Sequence, residues 1–215
     1  ARTFALRHKL ASEMAEELRQ ILLDRPGQSA QPASNNQEIT VTAPVSVMNR
    51  VATYITVADW PSPVKNAAQG QYLRGDALAA ARSFFHACAV EDEAALEKML
   101  SIPLLARMSG RDQPLPEAGS ALDERLIREL RETWPGKGAA LQALARAWTR
   151  YPLRQLREQP GVAPSFGARH FVSAAFAGAP GDFLSLEFIH DGDGTQSRSL
   201  ALDTLPPWMN STNQR

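Results

Sequence analysis

A single cysteine, Cys88, stands among the 215 residues of this chain. One thiol excludes an intrachain disulfide and a thiolate metal cluster, each of which needs a second sulfur. An excess of charge is missing as well, since 23 Lys and Arg face 23 Asp and Glu. Residues 1–62 alone carry six of each sign, so neither part has the basic surplus with which a nucleic-acid binder neutralises phosphates. A strand–helix unit of the KH type would also need a Gly-x-x-Gly clamp, and residues 1–62 have none. Nucleic acid is therefore not an expected partner. No apolar run approaches bilayer length, so no membrane span is expected. There is no Gly-rich phosphate loop, no Gly-x-Ser-x-Gly elbow and no recognisable catalytic carboxylate pair. The four histidines, His8, His86, His170 and His190, share no ligand spacing, and no metal or cofactor is expected. No enzymatic activity follows from such a sequence. The chain opens at Ala1 without an apolar leader, so a targeting peptide is expected to be already removed or left out.

What the sequence does contain is ordinary globular material, 44% apolar and 21% charged, enough for one large domain or two small ones. Phe4 and Leu6 alternate with Thr3, Ala5 and Arg7, the period of a half-buried strand. Ala11, Met14, Ala15, Leu18, Ile21 and Leu22 form a helical stripe, with Glu13, Glu16, Glu17 and Gln20 on the solvated face. Pro26-Gly27 is expected to end that helix. Ile39, Val41 and Ala43 alternate again, and Pro44 and Ser46 open a helix striped by Val47, Val51, Ile55 and Ala58. Residues 1–60 thus read as strand, helix, strand, helix.

This pattern, from Phe4-Ala-Leu-Arg-His through the helix to Ile39-Thr-Val-Thr-Ala-Pro and the closing Ala58-Asp59, resembles the short N-terminal domain of bacterial secretins. The resemblance implies a periplasmic or cell-envelope location. It also implies a partner protein or self-association engaged through residues 3–60, by docking or side-by-side assembly without catalysis. The long membrane β-domain of a secretin has no counterpart in this chain.

Trp60-Pro-Ser-Pro begins an aperiodic stretch, so residues 61–74 read as a linker and 75–215 as a second, α+β domain. Asp76 and Asp92 are N-caps for helices bearing Leu78, Ala81, Phe85 and Cys88, then Ala95, Leu96, Met99 and Leu100. Ile102-Pro103 is expected to stop the second, and 104–119 to be irregular. Leu122–Leu130 and Leu141–Trp148 mark further helices. Three antiparallel strands follow, at His170–Phe176, around Leu184–Phe188 and at Leu200–Leu202. Asp191-Gly-Asp-Gly reads as a hairpin turn, because position twelve of a calcium loop would fall on Leu202. Asn210-Ser-Thr matches a glycosylation sequon and reads as polar tail.

The run from Gly75-Asp-Ala-Leu to Glu97-Lys-Met-Leu is similar to the first two helices of the nuclear-transport-factor-2-like, cystatin-like superfamily, whose concluding sheet wraps the long helix. Such an architecture commonly leaves a cavity for a small apolar or amphipathic ligand. Phe84, Phe85, Trp148, Phe171 and Phe188 are its candidate walls, and His170, Glu187 and His190 its candidate polar contacts. The competing expectation is that the aromatics fill the core. Cys88, on an apolar stripe and out of phase with His86, reads as a small core residue.

Overall fold

The computed structural model of the chain describes residues 1–23, 25–61, 77–110, 128–159, 169–181, 183–191 and 199–209. The alternating residues at the start form β1 (Arg2–Ala5), followed by helix α1 (Ala11–Leu22). The stripe of α1 is buried as its spacing dictates, at Ala11, Met14, Leu18, Ile21 and Leu22. The helix stops before Pro26, on Leu23 in a left-handed conformation with φ 53°. Strand β3 (Glu38–Thr42) pairs antiparallel with β1, placing Phe4 opposite Ile39.

Between α1 and β3 in the chain comes a strand without the expected periodicity, β2 (Ser29–Pro32), which pairs antiparallel with β3 through Ser29 opposite Thr42. Ser-Ala-Gln-Pro has no apolar alternation, and its pairing comes from the hairpin with β3, turned at Asn36 with φ 54°. The sheet order is β1-β3-β2, so the expected strand–helix–strand–helix becomes strand, helix, hairpin, helix.

Helix α2 (Val45–Ala58) buries Val51, Ala52, Thr53, Tyr54, Ile55, Val57 and Ala58, which leaves no solvated face along that stretch. Val51, Tyr54, Ile55 and Ala58 join Met14, Leu18, Ile39 and Val41 in a first hydrophobic core. Val57 points the other way, into a larger core built by the second half.

That second half contains α3 (Ala77–Val90), α4 (Glu93–Met99), α5 (Ile102–Met108), one π-helical turn (Glu129–Thr133) and α6 (Lys137–Trp148). Asp92 caps α4 as expected, accepting the Ala95 N–H at 3.0 Å. Ile102-Pro103 does not end the helical run but opens α5, because proline is tolerated in a first turn and Ser101 Oγ accepts the Leu104 N–H at 3.1 Å. Most of the helix expected at Leu122–Leu130 lies outside the described residues, as do the Asp-Gly turn after Asp191, the sequon at Asn210 and residues 62–74 of the expected linker.

The closing sheet is an antiparallel meander of four strands rather than three, β4 (Leu153–Glu158), β5 (His170–Phe176), β6 (Leu184–Asp191) and β7 (Ser199–Leu202). β4 escaped notice because a register shift between Leu153 and Gln155 breaks its alternation: Leu153 and Leu156, three apart, are the buried pair. Two antiparallel sheets and their helices make this an α+β fold.

The two cores meet where α2 packs on α3, with Ala89 of α3 in the first core and Val57 of α2 in the second. Hydrogen bonds secure the join. Thr53 Oγ1 accepts the Leu153 N–H at 3.1 Å, and Thr56 Oγ1 donates to the Leu153 carbonyl at 2.9 Å. The side chains of α2 thereby satisfy backbone groups at the start of edge strand β4.

Just past the end of α2, the Asp59 carboxylate accepts three backbone N–H groups, from Arg7, His8 and Lys9, at 2.8, 2.8 and 2.9 Å. It ties the β1–α1 connection to α2. Substitution Asp59→Ala is expected to cost about 2 kcal/mol in urea unfolding, because hydrogen bonds to a charged acceptor are among the stronger ones. Asp59→Asn, which keeps one acceptor oxygen, is expected to lose less.

Candidate functional site

Of the eight residues expected to line a pocket, Phe84, Phe85, Trp148, His170, Phe171, Glu187 and Phe188 have described side chains. Phe84, Phe85, Trp148 and Phe188 are 0–1% exposed and belong to the packed core. Phe84, Phe85 and Trp148 meet edge to face with ring centroids 5.4–5.8 Å apart, and Phe176 and Trp208 extend the cluster. At these residues the helix–sheet interface is filled by aromatic rings. On the sheet, His170 lies opposite Phe188 and Phe171 opposite Glu187. These adjacent pairs point to opposite faces, since side chains alternate along a strand. Glu187 forms an ion pair with Arg169 at 3.0 Å. The side chain of His190 lies outside the described residues. Cys88 is fully buried, and burial pushes its thiol pKa well up, which leaves it protonated and inert.

An open cleft of about 930 Å³ lies elsewhere, where the end of α1 and the start of α2 face α6 and the Trp208–Met209 segment. None of the eight residues lines it. Its floor holds Ile21, Ala147 and Trp208, the last donating its indole N–H to the Ala147 carbonyl at 2.6 Å. Its rim carries Val45, 78% exposed, and Leu23, 56% exposed. Four arginines, Arg25, Arg50, Arg146 and Arg150, share its lining with one acid, Glu91. Glu91 reaches Arg50 at 3.3 Å and Arg146 at 3.6 Å, while Arg50 Nε donates to the Ala89 carbonyl at 2.8 Å. Burial pushes the Arg50 pKa down, with Arg146 and Arg25 adding to that push against the opposing pull of Glu91. No sequence motif announces this cluster, because its members come from four separate parts of the chain.

The first sheet offers a second surface, free backbone. The Leu6 N–H donates to the Gln37 carbonyl at 2.8 Å, which makes Leu6–Gln37 a hydrogen-bonded pair. By antiparallel alternation, Phe4 and Arg2 also turn their backbone groups toward β3, and Thr3 and Ala5 turn theirs outward. On the opposite edge, the Ala33 N–H donates to the Glu38 carbonyl, so Pro32 sits at an outward position and removes a donor there. The β2 edge is blunted and the β1 edge is not.

A third feature is a polar chain under α2. The Lys9 ammonium contacts the Glu17 carboxylate at 2.5 Å, and the Tyr54 hydroxyl donates to Glu17 at 3.2 Å. The Tyr54 ring packs on His86 with centroids 5.0 Å apart. Glu17, expected on a solvated face, is instead held by these partners. Burial first, then Glu17, raises the Tyr54 pKa. Burial lowers that of His86, with Lys9 in the same direction and Glu17 and Asp92 opposing.

Among the described residues no three His, Cys, Asp or Glu side chains are placed to hold a metal ion. A depressed histidine pKa gives the sign of a pH effect. Below about 6.5 the unfolded chain gains a proton that folded His86 resists, so this contribution is complete above that pH and lost as pH falls toward the folded value. Unfolding midpoints at pH 7.5 and 5.5 are expected to differ less in His86→Phe than in the parent chain. The chain matches no protein-family model, no curated protein and no solved structure.

Proposed function

We propose that residues 3–60 form a non-catalytic docking or oligomerisation module of the bacterial cell envelope, working in the periplasm. On this reading a partner protein or a second copy of the chain joins by adding a strand to β1. The observation that carries the proposal is the open β1 edge, where the outward backbone groups of Thr3 and Ala5 meet no other element among the described residues. An unpaired edge is a template for strand addition, and its main-chain hydrogen bonds supply affinity without any chemistry. The secretin-like pattern of Phe4–Asp59 supports the same reading and is the source of the location. The rival, a ligand pocket between the helices and sheet of the second half, is not favoured by aromatic rings that fill that space.

Light scattering over a concentration series, with amide exchange at Thr3 and Ala5, tests the proposal. Association, or binding of a co-purified envelope partner, is expected to protect both amides. Ala5→Pro removes an outward donor and is expected to abolish association while leaving the free energy of unfolding within about 0.5 kcal/mol of the parent's, as for other surface positions. Phe4→Pro breaks a bond to β3 and is expected to destabilise the fold. A strictly monomeric, partner-free chain recovered from the cytosol, or an Ala5→Pro variant that associates normally, would refute it.

A further inference from the structure

The junction cleft suits a ligand of definite chemistry. Four arginines against one glutamate leave its lining positively charged in a chain whose formal net charge is zero. Glu91 is already engaged by Arg50 and Arg146. The guanidinium groups of Arg25 and Arg150 have no acceptor among the described residues. Guanidinium forks match carboxylates in paired hydrogen bonds, and they do so best beside apolar surface that excludes water. That surface is present, because the exposed side chains of Leu23 and Val45 flank the same opening. Exposed aliphatic residues clustered at a concave site mark interaction surfaces.

We infer that this cleft receives an acidic peptide segment of another protein, with carboxylates on Arg25 and Arg150 and an aliphatic or aromatic side chain between Leu23 and Val45. Its shape favours a peptide over a small molecule. About 930 Å³ is at the top of the range for small-ligand pockets, which enclose most of their ligand, whereas this cleft is open along its rim. No β1 residue lines it, so the inference does not rest on strand addition. The lining comes from both halves of the chain, and a bound segment would bridge α2 and α6.

An array of randomised ten-residue peptides, probed with the intact chain at low salt, tests this. Binding sequences are expected to be enriched in Asp and Glu beside Leu, Ile, Val or Phe. The double variant R25E/R150E is expected to bind the selected peptide roughly tenfold more weakly or worse, since like charges are then juxtaposed. Probed on the same array, that variant is expected to enrich Lys and Arg instead, a reversal that unfolding cannot produce. Its unfolding midpoint is expected to stay close to the parent's, because neither guanidinium donates to a described acceptor and Arg150 gives up only a partly exposed contact with the Tyr151 ring, 5.7 Å from its centroid. Enrichment without charge preference, basic sequences on the parent chain, or undiminished affinity in the double variant overturns the inference. So does a cleft that binds decanoate, a small amphipathic carboxylate, and no peptide.

Discussion

The burial of the second half of α2, from Val51 onward, is the constraint from which the rest of the structure follows. A helix with Val51 to Ile55 all buried cannot lie on a surface, so it needs a layer against each flank. The first sheet and α1 supply one, and α3 with the start of β4 supplies the other. Loss of either layer would expose apolar surface on α2, and parting the second from it would also leave the Leu153 backbone without its threonine partners. The Asp59 carboxylate completes the arrangement by holding the β1–α1 connection against the end of the same helix.

Four strand edges bound these sheets, β1, β2, β4 and β7, and they are treated differently; at the β7 edge the Leu202 carbonyl accepts the Ser101 N–H at 3.0 Å. The β4 edge meets two threonine hydroxyls from α2 at Leu153. The β2 edge carries Pro32 at an outward position, where it removes a donor. The β1 edge carries no such proline, and both of its outward positions, Thr3 and Ala5, offer a donor and an acceptor. Proline and covering helices are the ordinary devices against edge-to-edge association. Of the two edges of the first sheet, β1 carries neither among the described residues, which gives the first module its polarity.

Placing α2 between two layers also creates the cleft. Residues of the first two turns of α2, Val45, Ser46, Val47, Asn49 and Arg50, line it opposite Ala143, Arg146 and Ala147 of α6. Arginine is suited to such a seam, because its stem packs against apolar neighbours while the fork remains available to carboxylates. Arg50 is the example that is half committed, bonded to Ala89 and Glu91 at the inner end of the cleft.

Local pattern determined much of this protein. The stripe of α1, the alternation of β1 and β3, the Asp92 cap and the inward Leu200 and Leu202 are near-neighbour properties, so they were legible without a structure. So were the α+β class and the core role of Cys88. Where a local rule failed, a longer-range contact had won. β2 exists through its hairpin with β3, β4 hides its period behind a bulge, and Ser101 turns Ile102-Pro103 from a stop into a start. Phe84, Phe85, Trp148 and Phe188 are apolar positions that the pattern marks as inward, but spacing cannot say whether rings line a cavity or fill it, since that depends on what faces them. The cleft was wholly illegible. Arg25, Arg50, Glu91, Arg146 and Arg150 carry no mutual spacing in the chain, and only the packing of α2 between two layers brings their charges to one place.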